Sequence, residues 1–465
     1  MKQVDFENGK ITRNIFQTMG PLLVAQLLNL LYNIVDRVYI GRIPGEGTGA
    51  LGGVGLCFPI IILITGFTNM YGMGGSPLFS IELGKGDREN ADRIMNTAFR
   101  LICVTAAAIM VFGQLIAVPM LHALGASDNI MDYSLVYLRI YLLGTLFSMI
   151  ATGMNPYINA QGFPRIGMMS VVIGAISNLI LDPIFIFKMN LGVSGAAIAT
   201  VISQGLSAAF VIYLICGGKL DFRIHFEKKQ IVKEYFPFAG EIISLGTAPF
   251  IMQCTNSLVQ MACNSVLLTF GGEIYVSVMT IVSSVRQLLD TPILAATEGA
   301  SPVISYNYGA GKASNVRKGI FIMTGSVVLY TIVIWALIEW RPAMLISIFS
   351  SDHTILEDAV PALHLYFFAF PFQALQMSGQ TVFKAMGKKK RNIFFSLFRK
   401  VILVVPLTFT LPYLWGLGTN GVFMAEPISN FVGGLACYIT MLLTILPEIK
   451  KFENNKKHCP SVANY

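Results

Sequence analysis

Apolar runs long enough to cross a bilayer recur along the whole chain, divided by short polar breaks. They fall at about 15–40, 51–81, 94–118, 130–154, 165–187 and 192–216, and then, beyond a polar stretch at 216–234, at about 236–270, 275–308, 319–346, 356–384, 392–415 and 419–447. A helix crossing the hydrocarbon core takes about 20 predominantly apolar residues, so the pattern predicts twelve spans in two sets of six. The expected fold class is an all-α polytopic membrane protein. Its expected division is a first lobe at 1–216, a cytoplasmic linker at 217–235, a second lobe at 236–450 and a cytoplasmic tail at 451–465, disordered from Glu453.

The polar breaks alternate in charge. Lys2, Lys10 and Arg13 precede span one; Lys85, Arg88 and Arg93 follow span two; Arg165 follows span four; Lys219, Arg223, Lys228, Lys229 and Lys233 follow span six. Lys312, Arg317 and Lys318, then Lys384 and Lys388 to Arg391, then Lys450, Lys451, Lys456 and Lys457 continue the series, while the intervening loops hold only Arg42, Lys188 and Arg341. Cytoplasmic loops of membrane proteins carry the excess of Lys and Arg, so both termini are expected in the cytoplasm. The polar stretch Met1–Arg13 runs into a long span without a small-residue cleavage site, so it does not read as a cleaved signal peptide.

Composition agrees with the pattern. The 465 residues are 54% hydrophobic and 12% charged, with a mean hydropathy of +0.64. A net charge of +8 would suit a nucleic-acid binder, but no basic face or RNA-binding signature accompanies it; the charge reports topology, and no nucleic-acid partner is expected. The seven cysteines are scattered, mostly inside apolar runs, with no CxxC pair, which gives neither a disulfide framework nor a zinc site. Enzyme readings are poor. Gly47-Thr48-Gly49-Ala50-Leu51-Gly52 matches GxGxxG, but with no strand before it the motif reads as a flexible turn in an external loop. There is no Walker A lysine motif, and His122, His225, His353, His364 and His458 are too dispersed to suggest a metal set. No catalytic residue and no resident cofactor are expected.

The two sets of spans are related. Ser76-Pro77 and Gly84-Lys85-Gly86 recur as Ser301-Pro302 and Gly309-Ala310-Gly311, and Ala160-Gln161-Gly162 recurs as Ala385-Met386-Gly387. Gly192 and Gly195 recur as Gly418 and Gly421, and Leu138 and Tyr141 as Leu363 and Tyr366, all at nearly one offset. The chain reads as an internal duplication. Each half starts on the cytoplasmic side and has an even number of spans, so the expected relation is a pseudo-two-fold axis along the membrane normal, with a central cleft between two bundles.

Inside the fifth span lies Ser177-Asn178-Leu179-Ile180-Leu181-Asp182-Pro183. A carboxylate at membrane depth is costly and normally faces a polar cavity with a partner. Asn178 and Asp182 are spaced i, i+4 and share a helix face, so an amide and a carboxylate converge on one ion or proton; the competing reading is a packing role. In the second half, Arg286 and Asp290, also i, i+4, are expected to satisfy each other. Glu298 has no such neighbour, and Glu426 is expected to be solvated near the outer end of span twelve. Arg399 and Lys400 are expected to bridge helices or snorkel.

Several of these stretches, taken together, resemble the multidrug and toxic compound extrusion (MATE) family, over nearly the whole chain. They are Val35-Asp36-Arg37-Val38-Tyr39-Ile40-Gly41 on span one, Leu83-Gly84-Lys85-Gly86-Asp87 after span two and Asn159-Ala160-Gln161-Gly162 after span four. Asn178 to Pro183 and Gly192-Val193-Ser194-Gly195-Ala196-Ala197 follow, and Glu298 to Gly309 is similar to the MepA-type branch. The resemblance implies a cation-driven exporter with twelve helices in two lobes. It also implies a cation site at Asp36, Asn178, Asp182 and Thr200, which would bind Na⁺ if sodium is the coupling ion. Span geometry places all four in the outward half of the membrane, and two carboxylates together in low dielectric would share Na⁺ or H⁺.

Glu241 and Glu298, both toward the cytoplasmic side, are the candidates for meeting a cationic substrate, with Gln260 and Met261 on span seven as further lining residues. The expected protein is a monomeric antiporter of the bacterial cytoplasmic membrane, exporting small organic, chiefly cationic compounds against Na⁺ or H⁺. The alternatives are a lipid-linked sugar flippase of the same superfamily, disfavoured by the acidic residues, and a non-transporting membrane receptor.

Overall fold

The computed structural model describes residues 3–44, 47–218, 220–224, 231–347, 353–414 and 416–458. It is helical throughout, with no strand among the described residues. In the first half the helices are α1 (Ile11–Gly41), α2 (Gly47–Lys85), α3 (Arg88–Ala123), α4 (Asp128–Leu143), α5 (Thr145–Gly153), α6 (Asn155–Ala160), α7 (Pro164–Pro183) and α8 (Gly192–Cys216). The second half follows as α9 (Ile231–Gly309), α10 (Ala313–Trp340), α11 (Pro342–Ile346), α12 (His353–Phe367), α13 (Phe370–Ala385), α14 (Lys389–Leu397), α15 (Val405–Thr410) and α16 (Thr419–His458). Wider π turns at Ile184–Lys188 and Phe398–Val404 continue α7 and α14.

Among the described residues nine helices are long and apolar enough to cross a membrane, and a tenth span is the pair Ile130–Leu143 and Thr145–Ala160, bent by 55°. One of the nine is Pro237–Gly309, 73 residues long, more than twice what a bilayer needs. Within it Gly272 adopts φ 69°, ψ −166°, a conformation essentially reserved for glycine, so the chain reverses there and α9 is two spans joined without a loop. The α12–α13 pair, parted only by residues 368–369, supplies the remaining span of the twelve-helix fold.

The helices are apolar nearly all round, as the bilayer demands. Leu115, 73% exposed, and Leu443, 70% exposed, stand on surfaces that would be aggregation sites in water and are ordinary against lipid. GxGxxG is not an external loop: it is the first turn and a half of α2, because nothing in it interrupts backbone hydrogen bonding and the apolar run begins at once. The tail also departs from expectation. α16 continues through Glu453 to His458, since Phe452-Glu453-Asn454-Asn455-Lys456 holds neither Pro nor Gly to stop it. Residues 459–465 of the expected tail, and 219 and 225–230 of the expected linker, lie outside the described residues.

The chain divides into two compact units, one of Met1–Asp5, Gly20–Leu83 and Asp87–Phe250, the other of Phe6–Met19, Gly84–Gly86 and Ile251–Tyr465. Each has its own core. In the first, Phe79 meets Tyr157 and Phe222 edge-on at 5.9 and 5.1 Å, and the buried Tyr157 hydroxyl donates to the Tyr71 carbonyl at 2.9 Å. In the second, Phe367 packs edge-on against Phe370 at 5.2 Å. A feature of helix approach recurs in both. A Cβ on Gly195 would lie 2.7 Å from the Phe185 backbone, and one on Gly421 2.6 Å from the Pro412 nitrogen. Each glycine therefore lets the last helix of its six pack directly on the end of the preceding span.

Candidate functional site

The close approach at Gly195 seats α8 against the end of α7, where Asn178 and Asp182 stand one turn apart. Asn178 Nδ2 donates to Asp182 Oδ1 at 3.1 Å and to Thr200 Oγ1 on α8 at 3.4 Å. Thr200 in turn donates to the Ala196 carbonyl at 3.0 Å, so it bonds its own helix, as threonines do, and still presents its oxygen to the site. Asp182 is 1% exposed. Pro183 removes the next backbone donor, and the helix widens into the π turn Ile184–Lys188, a distortion frequent beside functional residues.

Asp36, on α1, completes the group. Its carboxyl is a close electrostatic neighbour of that of Asp182, and Asp36 Oδ1 and Asp182 Oδ2 are both buried without a partner. Arg37 does not pair with Asp36; its guanidinium stacks over the Phe58 ring at 4.4 Å. The structure thus brings Asp36, Asn178, Asp182 and Thr200 together. Half a turn of the Asn178 amide would exchange its nitrogen for its oxygen, giving a set of oxygen donors suited to a hard cation.

Three tyrosines close in on this group that the sequence did not single out for it. Tyr32 is near both aspartates and Tyr137 near Asp36; Tyr137 stacks on Tyr141, ring centroids 6.1 Å apart, and Tyr141 lies near Gln204, one turn from Thr200. The i, i+4 spacing of Tyr137 and Tyr141 was a usable signal, since it puts two phenols on one helix face.

The expected substrate residues have varied surroundings. Glu298 has a partner after all: Lys384 Nζ lies 2.5 Å from its Oε1, supplied by α13 and invisible to local spacing. Gln260 donates to Asn264 at 3.1 Å and accepts from Ser283 at 2.9 Å, whereas the adjacent Met261 is 65% exposed. Glu241 is exposed at its place in α9.

Glu426 is likewise not solvated. It is 3% exposed, enclosed by cations from other helices. Arg286 Nη2 lies 2.6 Å and Arg399 Nη1 3.0 Å from its Oε1, and Lys400 Nζ lies 3.1 Å from the same oxygen. Arg286 also pairs with Asp290 at 3.2 Å, as expected, and donates to the Tyr366 hydroxyl at 2.6 Å. Gln373 donates to Asp290 at 2.9 Å, and Arg399 to Asn430 at 2.6 Å. Arg399 and Lys400 bridge helices and do not snorkel. Among the described residues no group of three or more His, Cys, Asp and Glu side chains is placed to hold a metal.

The MatE family model matches residues 21–184 and again 249–410 of this chain. The chain belongs to the MATE family. The two matches fall one in each half, in keeping with the duplication. Among curated relatives of this MATE protein is "Multidrug export protein MepA" of Staphylococcus haemolyticus (strain JCSC1435), 24% identical over 437 residues, covering 93% of this chain and 94% of the relative. Another is an "FAD transporter" of Shewanella oneidensis, 23% identical over 440 residues, 92% of this chain and 94% of the relative. A solved outward-facing multidrug resistance MATE family transporter superposes with a TM-score of 0.89 at 22% identity, over 97% of this chain and 99% of its own. The fold is that of these transporters, and the chain is a multi-pass membrane protein.

Proposed function

We propose that this MATE-family chain is a secondary antiporter of the cytoplasmic membrane that exports small organic, chiefly cationic compounds in exchange for Na⁺ or H⁺. The observation that carries the reading is the pairing of the Asp36 and Asp182 carboxyls as electrostatic neighbours, each with a buried, unpartnered oxygen. Two unit charges about 4 Å apart repel by about 4 kcal/mol at the effective dielectric typical of proteins. One proton or one Na⁺ shared between them relieves that repulsion, and an aqueous ion gradient then does work on the protein each time the site loads and empties. The multidrug export relatives support small-molecule cargo.

In the proposed cycle cargo leaves as the cation binds at Asp36 and Asp182 from outside, and return of the cation inward resets the protein. Both termini lie in the cytoplasm, and the monomer is the working unit. The test is efflux of a fluorescent organic cation from proteoliposomes under an imposed Na⁺ or H⁺ gradient, comparing the native chain with Asp36→Asn and Asp182→Asn. Flux driven by one gradient and lost in both variants is the expected result, and the effective gradient names the ion. Flux indifferent to both aspartates would move the coupling site elsewhere; absence of flux under either gradient would overturn antiport and bring back the flippase reading.

A further inference from the structure

The proposed antiport cycle does not use the ionic cluster of the second unit. The first count made on it is charge. Arg286, Arg399 and Lys400 bring three cations, Asp290 and Glu426 two carboxylates, and Glu426, Arg399 and Lys400 are 3, 5 and 4% exposed. Buried charges are ordinarily balanced, yet with every group ionised this cluster holds one cation more than its acids neutralise.

The second count is hydrogen-bond donors. Arg286 uses Nε, Nη1 and Nη2 on three different acceptors. Arg399 spends only Nη1, on Glu426 and Asn430, so its Nε–H and Nη2–H groups meet no acceptor among the described residues. Lys400 directs its bonds to the two oxygens of one carboxylate, at 3.1 and 3.3 Å, and an ammonium has three N–H groups. Spare donors and spare positive charge therefore sit on the same two neighbouring residues. They do so because Phe398–Val404 is π-helical: its wider turn sets successive side chains at a smaller angle than in an α-helix, so Arg399 and Lys400 both face inward.

Two members of the cluster stand at repeat positions of residues in or beside the first group. The offset that takes Gly192 to Gly418 takes Thr200 to Glu426, and the one that takes Leu138 to Leu363 takes Tyr141 to Tyr366. Each half buries a polar centre, acidic in the first and basic in the second.

We propose that Arg399 and Lys400 form a binding site for a single negative charge in the second unit, filled by chloride or by a carboxylate group. A guanidinium beside an ammonium suits either, since both are compact monovalent acceptors. Glu426 does not forbid it, because Arg286 holds that carboxylate at the shortest distance in the cluster. The site is independent of the transport reading and is tested without transport.

The full-length protein, purified in detergent at constant ionic strength with a bulky organic sulfonate as the background anion, is titrated with chloride and separately with acetate while its thermal unfolding is followed. Ligands that bind only the folded state raise its unfolding temperature. A saturable rise of roughly 2 °C or more is expected for the native chain with at least one of the two anions, the one that works naming the source. Lys400→Met, which makes the cluster neutral, is expected to lose the rise. Glu426→Gln, which adds to the excess charge, is expected to reach saturation at a lower anion concentration. A native chain that responds to neither anion, or a Lys400→Met chain that responds as the native does, would overturn the proposal.

Discussion

At the scale of single residues, the two halves make opposite use of intramembrane charge, and substitutions will tell them apart. Asp36→Asn removes one of two mutually repelling carboxyls, so it should abolish gradient-driven efflux while leaving the melting temperature in detergent unchanged or higher. Glu426→Ala should do the reverse to stability. It leaves Arg399 and Lys400 buried with no carboxylate, while Arg286 keeps Asp290; breaking such a network by removing one partner costs about 3–5 kcal/mol, which a denaturation midpoint will register as a large fall. Lys400→Met leaves the remaining cluster with matched charges and should cost less than about 1 kcal/mol; a loss as large as that of Glu426→Ala would contradict the charge count. Asn178 and Asp182 were legible in the sequence because their i, i+4 spacing fixes their relation within one helix. Glu426 was not, since its partners Arg286 and Arg399 lie on other helices and its burial depends on how α16 docks. Glu298 misled for the same reason, its lysine coming from another span.

At the scale of elements, the spans were legible and their irregularities were not. Hydropathy over about 20 residues averages away a single displaced hydrogen bond, so the π turns at Ile184–Lys188 and Phe398–Val404 left only an indirect trace, a proline before the first. Gly272 was equally silent, as glycine is common in membrane helices. Its positive φ makes a direct prediction. Gly272→Ala should destabilise by about 1–3 kcal/mol, the cost of a strained backbone at one residue, seen as a lower melting temperature with the helical circular dichroism otherwise preserved. Gly195→Ala tests the other device. Its Cβ would press on the Phe185 backbone, where little can give, so α8 must shift; overpacking of this kind typically costs about 1–3 kcal/mol. The shift would lengthen the contact from Asn178 to Thr200, and efflux should fall more than stability does.

For the whole molecule, the alternation of lysine and arginine predicts sidedness. In a cysteine-free background, Lys85→Cys should react with a membrane-impermeant maleimide only in inverted vesicles and Met189→Cys only in right-side-out cells; the opposite pattern would invert the topology. The twofold match of the MatE model, together with glycines 195 and 421 doing one job in two places, carries a consequence of an evolutionary kind. A chain that copies its own half inherits the geometry twice but is bound to the chemistry of neither copy. Once one pocket holds a duty, its duplicate is free to change sign, and here Thr200 and Glu426 mark where the two lineages parted. A scaffold of this kind can be rewired by exchanging a few side chains between matching positions, with the backbone already in place to receive them.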